Sequence, residues 1–170
     1  LHSISTTGTG QISIEGTGGF TNGSNNAGID LVSGTMTTVD GDIHLTGTGG
    51  GSGATSNQVG IEATFSAISC SGAGNIHLMG TGGAATGFSN LGIYVKGNGT
   101  DISSASGIIS ITGIEGGGDS AYGLNWDDQI ENNTAPNGGN IYFKSNTFQF
   151  YNIPHVETSA TATIFIEPYT

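Results

Sequence analysis

Apolar and polar residues alternate along this chain in short runs, and the runs recur. Ile12-Ser13-Ile14, Ile43-His44-Leu45, Ile76-His77-Leu78 and Ile109-Ser110-Ile111 share one form, with a weaker copy at Ile141-Tyr142-Phe143. Their first apolar residues are separated by 31, 33, 33 and 32 positions. A second family, Ile29-Asp30-Leu31, Ile61-Glu62-Ala63, Ile93-Tyr94-Val95 and Leu124-Asn125-Trp126, repeats at steps of 32, 32 and 31. A third and looser family holds Ile4, Met36, Ile68, Ile102 and Ile130. Apolar-polar-apolar alternation is the period-2 signature of a strand with one buried face. Three such strands per repeat, called A, B and C here, predict one coil of a parallel β-solenoid. The fold class is all-β, with about five coils of 31–33 residues in a single segment spanning residues 1–170.

This register predicts which side chains point inward. They are the A columns Ile12/Ile43/Ile76/Ile109/Ile141 and Ile14/Leu45/Leu78/Ile111/Phe143. The B columns Ile29/Ile61/Ile93/Leu124 and Leu31/Ala63/Val95/Trp126 join them. Like residues stacked on like fill a narrow interior that no single coil could bury alone. The residues beyond three strands lie mostly between A and B, at 17–27 and 48–59, and are expected to loop outward. From Ile141 to the similar Ile164-Phe165-Ile166 the step is only 23, which predicts a last coil without the long loop. Gly28, Gly60, Gly92 and Gly123 precede strand B, at a corner needing either positive φ or close backbone approach.

About half the chain is Gly, Ser, Thr and Asn, including 32 glycines, and the alternating pattern is what separates it from a disordered tract. Only Lys96 and Lys144 are basic against 13 acidic residues, for a net charge of −11. Nucleic-acid binding, which releases counterions from phosphates through a basic surface, is not expected. The chain shows no run of the ~18 apolar residues of a membrane span and no signal-like opening. The lone Cys70 excludes an internal disulfide and is expected to be a buried, small apolar-like residue of strand C.

The outward positions carry the candidate chemistry. His44 and His77 occupy neighbouring outward slots of strand A, close enough to share a transition metal. Their column continues as Ser13, Ser110 and Tyr142 and supplies no third ligand, so solvent-exposed histidines are the expectation. Asp30 and Glu62 are stacked in the outward slot of strand B and repel unless a cation lies between them; solvated carboxylates are expected there too. Asp40-Gly41-Asp42 has the residues of a turn. Asp127-Asp128 has the paired carboxylates of glycoside-cleaving chemistry, but without arginine and with neither lysine near in sequence. The Gly-rich stretches at 49–54 and 80–85 lack the helix that would hold a pyrophosphate. Sequons stand at Asn22, Asn98 and Asn132. No cofactor and no catalytic residue is expected. Aromatic residues gather late, at Phe143, Phe148, Phe150, Tyr151, Phe165 and Tyr169, where they would meet flanking solenoid coils of the same chain.

The repeated Ile-x-Leu-x-Gly-Thr-Gly-Gly units followed by Gly-Ile-x-Leu resemble the repeat regions of very large bacterial surface proteins. These are of the filamentous-haemagglutinin-like and autotransporter-adhesin type, and the resemblance covers roughly residues 8–145. It implies a right-handed parallel β-helix forming a stalk on the bacterial cell surface or in the extracellular space. It also implies contact with glycans or proteins of a host or a neighbouring cell. The alternative is a polysaccharide-acting β-helix enzyme, which requires a groove with three or more clustered carboxylates.

Overall fold

The computed structural model describes residues 2–97, 99–127, 133–135, 138–151 and 156–169. They form an all-β solenoid whose strands all pair parallel, coil on coil. Face A stacks six strands: Ile12–Thr17, Ile43–Thr48, Ile76–Thr81, Ile109–Ile114, Ile141–Lys144 and Ile164–Glu167. Face B stacks five: Ile29–Val32, Ile61–Thr64, Ile93–Lys96, Leu124–Asp127 and Phe148–Tyr151. Face C stacks His2–Ser5, Gly34–Thr38, Ala67–Cys70 and Asp101–Ser104. The pair Asn133–Ala135 and Val156–Thr158 follows, with the former strand lying against Asp101–Ser104. No helix among the described residues is long and apolar enough to cross a membrane.

The register is the one the alternation predicts. Ile12 pairs with Ile43, Ile43 with Ile76, Ile76 with Ile109, and Ile109 with Ile141. Ile4, Met36, Ile68 and Ile102 align on face C; Ile130 lies outside the described residues. Ile141 pairs with Ile164, so the last coil is shortened. Its shortening falls between A and B, where only 145–147 join Lys144 to Phe148. The four inward columns form one continuous core, with Ile14 and Leu31 only partly buried where their strands pair on one side alone. Trp126 is 1% exposed and meets the Phe143 ring edge-on at 5.6 Å. Cys70 is buried, with Thr38 Oγ1 3.0 Å from its sulfur, and burial pushes its thiol pKa up.

The corner glycines settle as a case of close approach. Gly28, Gly60, Gly92 and Gly123 do not carry positive φ. They face Gly16, Gly47, Gly80 and Gly113 at the ends of the A strands, where a Cβ would strike the opposing glycine carbonyl. Faces A and B therefore meet backbone on backbone, which only paired glycines permit.

The A–B segments are more than outward loops. They stack in the same register as the strands, through backbone bonds such as Gly49 N to the Thr81 carbonyl and Gly82 N to the Ile114 carbonyl. The segments at 49–60 and 82–92 carry buried residues of their own, among them Val59, Ala85 and Leu91. An amide ladder holds them. The Asn26 backbone N–H and Nδ2 both donate to Gln58 Oε1, at 3.2 and 3.0 Å. The Gln58 N–H donates to Asn90 Oδ1 at 3.1 Å, and Asn90 Nδ2 donates to the Ala85 and Gly117 carbonyls. Gln58 and Asn90 are fully buried, and buried amides must be bonded in this way. The tips remain outward, and Phe20 and Phe88 are exposed there.

Candidate functional site

A groove runs along the outside of face B, parallel to the solenoid axis. Its floor is the outward column of the B strands, in which Asp30, Glu62, Tyr94, Asn125 and Gln149 are successive register partners. Its wall is the turn that closes each A–B segment. Asn25, Asn57, Ser89 and Ser120 occupy that turn one coil apart, all left-handed, with φ of 63°, 56°, 58° and 51°. Asn tolerates this conformation better than most side chains, and backbone bonds between successive coils hold it. The N–H groups of Asn25, Asn57 and Ser89 donate to the carbonyls of Ser56, Phe88 and Asp119.

Two adjoining hollows of about 290 and 360 Å³ make up the groove and share Ser89, Tyr94 and Asn125. The first adds Glu62 and Lys96; the second adds Tyr122, Gln149 and Tyr151. Asn125 Nδ2 donates to Gln149 Oε1 at 3.1 Å, while its own Oδ1 is buried without a partner. Lys96 Nζ lies 2.5 Å from the Glu62 carboxylate and 4.8 Å from the centre of the Tyr94 ring. The cation that the stacked Asp30 and Glu62 require is thus Lys96. Asp30 still has a raised pKa, from burial first and Glu62 second, with Lys96 opposing both. Tyrosine faces, amides and hydroxyls give a surface of alternating apolar and hydrogen-bonding patches, without strong charge.

The remaining sequence candidates distribute as follows. Asp127 is the last residue of a B strand rather than part of the following turn, and its backbone is the register partner of Lys96. A lysine distant in sequence is thereby brought alongside it. Asp128, Asn98 and Asn132 lie outside the described residues, and Asn22 is exposed on an A–B segment. Among the described residues Glu62 is the one carboxylate lining the two hollows, and Asp30 stands one coil further along the same column. His44 and His77 are register partners on the outside of face A, as the alternation predicts. Asp40 stands in a bend, as expected, but its Oδ1 accepts from the Ala73 N–H of the next coil rather than from its own turn. Asp42 instead stands beside His44, a neighbour that the outward column alone does not reveal. Bonds from the Asn75 backbone and side chain hold its carboxyl below the usual range, whereas burial first and His44 second lower the pKa of His77.

The groove was not legible as a site because its wall consists of Asn and Ser residues in loops. Their signal is the 31–32-residue recurrence of Asn25, Asn57, Ser89 and Ser120. No protein family, curated protein or solved structure matches this chain.

Proposed function

We propose that this chain is a rod-like segment of a secreted or surface-displayed bacterial protein that engages neutral glycan chains along the groove of face B. The reading rests on one observation: the groove crosses several coils, with Tyr94, Tyr122 and Tyr151 spaced among Asn125, Gln149, Ser89 and Ser120. Sugars offer apolar ring faces and hydroxyl groups, which tyrosine rings and side-chain amides complement. The orphaned Asn125 oxygen is an acceptor that a hydroxyl donor would satisfy, and such an unmet group is costly until it is paired. A groove parallel to the axis suits an extended polymer rather than a compact metabolite. The reading favours binding and presentation over turnover, because among the described residues the one carboxylate lining the two hollows, Glu62, is already paired with Lys96.

A glycan-array screen of the whole segment tests this. Binding to uncharged oligosaccharides is expected, lost in Tyr94→Ala and reduced at least about tenfold in Asn125→Ala, the scale of one hydrogen bond left unpaired. Capture that persists in both variants would place the ligand elsewhere. Release of reducing ends from a bound glycan, abolished by Asp127→Asn, would replace this reading with the hydrolase.

A further inference from the structure

On face A, away from the groove, two histidines and an aspartate converge. His44 and His77 sit in outward slots of adjacent strands, with parallel rings 4.7 Å apart and 9° between their planes. Asp42 lies two residues before His44, and therefore on the same outward side of the chain. Its Oδ2 is 3.7 Å from His44 Nε2. One ligand atom from each of the three residues lies within 4.8 Å of the others.

From this geometry we infer a binding site for a divalent transition ion such as Zn²⁺, held by the imidazoles of His44 and His77 and the carboxylate of Asp42. Bond lengths of 2.0–2.2 Å in a tetrahedral shell put ligand atoms roughly 3.3–3.5 Å apart. The Asp42–His44 separation is already close to this. Side-chain rotation closes the rest, while the strands stay at their hydrogen-bonded spacing.

The surroundings fit a ligand role. Asp42 Oδ1 is occupied, accepting from the Asn75 N–H at 2.8 Å and from Asn75 Nδ2 at 3.0 Å. This leaves Oδ2 toward His44, and Asn75 fixes the carboxylate as an outer-shell partner fixes a metal ligand. Two imidazoles select against Ca²⁺ and Mg²⁺, which prefer oxygen donors, and favour Zn²⁺, Cu²⁺ or Ni²⁺. An open hollow of about 330 Å³, lined by His44, His77, Met79 and Ser110 among others, leaves room for water in the remaining position. Because His44 and His77 belong to successive coils, the ion fastens one coil to the next.

Calorimetric titration of the chelator-treated whole segment with Zn²⁺, paired with thermal melts, decides the matter. One Zn²⁺ per chain and a raised melting temperature are expected, with Ca²⁺ and Mg²⁺ giving neither. His44→Ala and His77→Ala should each weaken binding by more than about 100-fold. Asn75→Ala, which reaches the site through Asp42 and also leaves the Ile108 N–H without its acceptor, should weaken it by about 10- to 100-fold. Asp42→Asn should also change the visible spectrum of the Co²⁺-loaded protein, a readout that a merely structural role would leave unmoved. Circular dichroism without metal confirms that each variant folds, as outward histidines allow. The proposal fails if folded wild-type protein binds no Zn²⁺, if Ca²⁺ binds as well, or if His44→Ala and His77→Ala retain full affinity.

Discussion

Asp101 begins a strand of face C, and its Oδ1 is buried without a hydrogen-bond partner. Its Oδ2 accepts from the Ser103 hydroxyl at 2.8 Å. Burial outweighs that bond and raises the pKa above its ordinary value of 3.8. Asp42 shows the converse: two bonds from Asn75 outweigh a smaller burial and hold its carboxyl low. The same side chain is thus pushed opposite ways by its hydrogen-bond supply. For stability the sign follows from linkage. The folded state with a raised carboxyl pKa binds the proton more tightly than the unfolded chain. The contribution of Asp101 is fully present below 3.8 and is lost as pH rises through the raised folded value. Above that value the charged form costs stability. Asp101→Asn should therefore melt at a higher temperature than wild type at pH 7, and the advantage should vanish or reverse near pH 3. Melts across that range check it, and a difference independent of pH would show that charge is not the cause.

Among the elements, the contact between faces A and B is the most exacting, since four A strands carry a penultimate glycine, Gly16, Gly47, Gly80 or Gly113, pressed against the glycine that precedes a B strand. A methyl group at Gly47 would strike the Gly60 carbonyl and the Ile61 side chain. Gly53 is different: its φ is +59°, but nothing lies within 4 Å of a Cβ there. Gly47→Ala should cost at least about 3 kcal/mol, the upper range for overpacking because backbone must move. Gly53→Ala should cost only about 1–2 kcal/mol, the penalty of a left-handed alanine. Denaturant unfolding of the two variants separates close approach from turn conformation. These elements also show what the sequence made legible. The strands could be read because stacked apolar columns repeat both at period 2 and at 31–33 residues. The ladder of Asn26, Gln58 and Asn90 recurs just as regularly, but its members are polar and change type, so they read as loop. Only the fold shows that Gln58 and Asn90 are buried and bonded. Asp42 was missed for a related reason. It precedes the apolar residue that marks the strand, although Asp42 and His44 share the same parity and hence the same face.

At the scale of the molecule, each coil touches only its neighbours, and stability is close to a sum of coil and interface contributions. Position along the stack then decides what a lost side chain costs. Leu78 is buried, and its register partners are Leu45 on one side and Ile111 on the other. Truncating it leaves a cavity in an interior that cannot collapse without shifting both neighbouring coils. Ile166 belongs to the same inward column, but it is 62% exposed and, among the described residues, pairs with Phe143 alone. Leu78→Ala should cost about 2–5 kcal/mol, the range of leucine truncations in packed cores. Ile166→Ala should stay within about 0.5 kcal/mol, as exposed substitutions do. Urea unfolding of both variants measures the pair. Equal losses would mean that Ile166 is packed as tightly as Leu78, against its exposure at the edge of the stack. The expected inequality would show that the core is packed most tightly in the central coils, where the His44–His77 pair and the middle of the face B groove both sit.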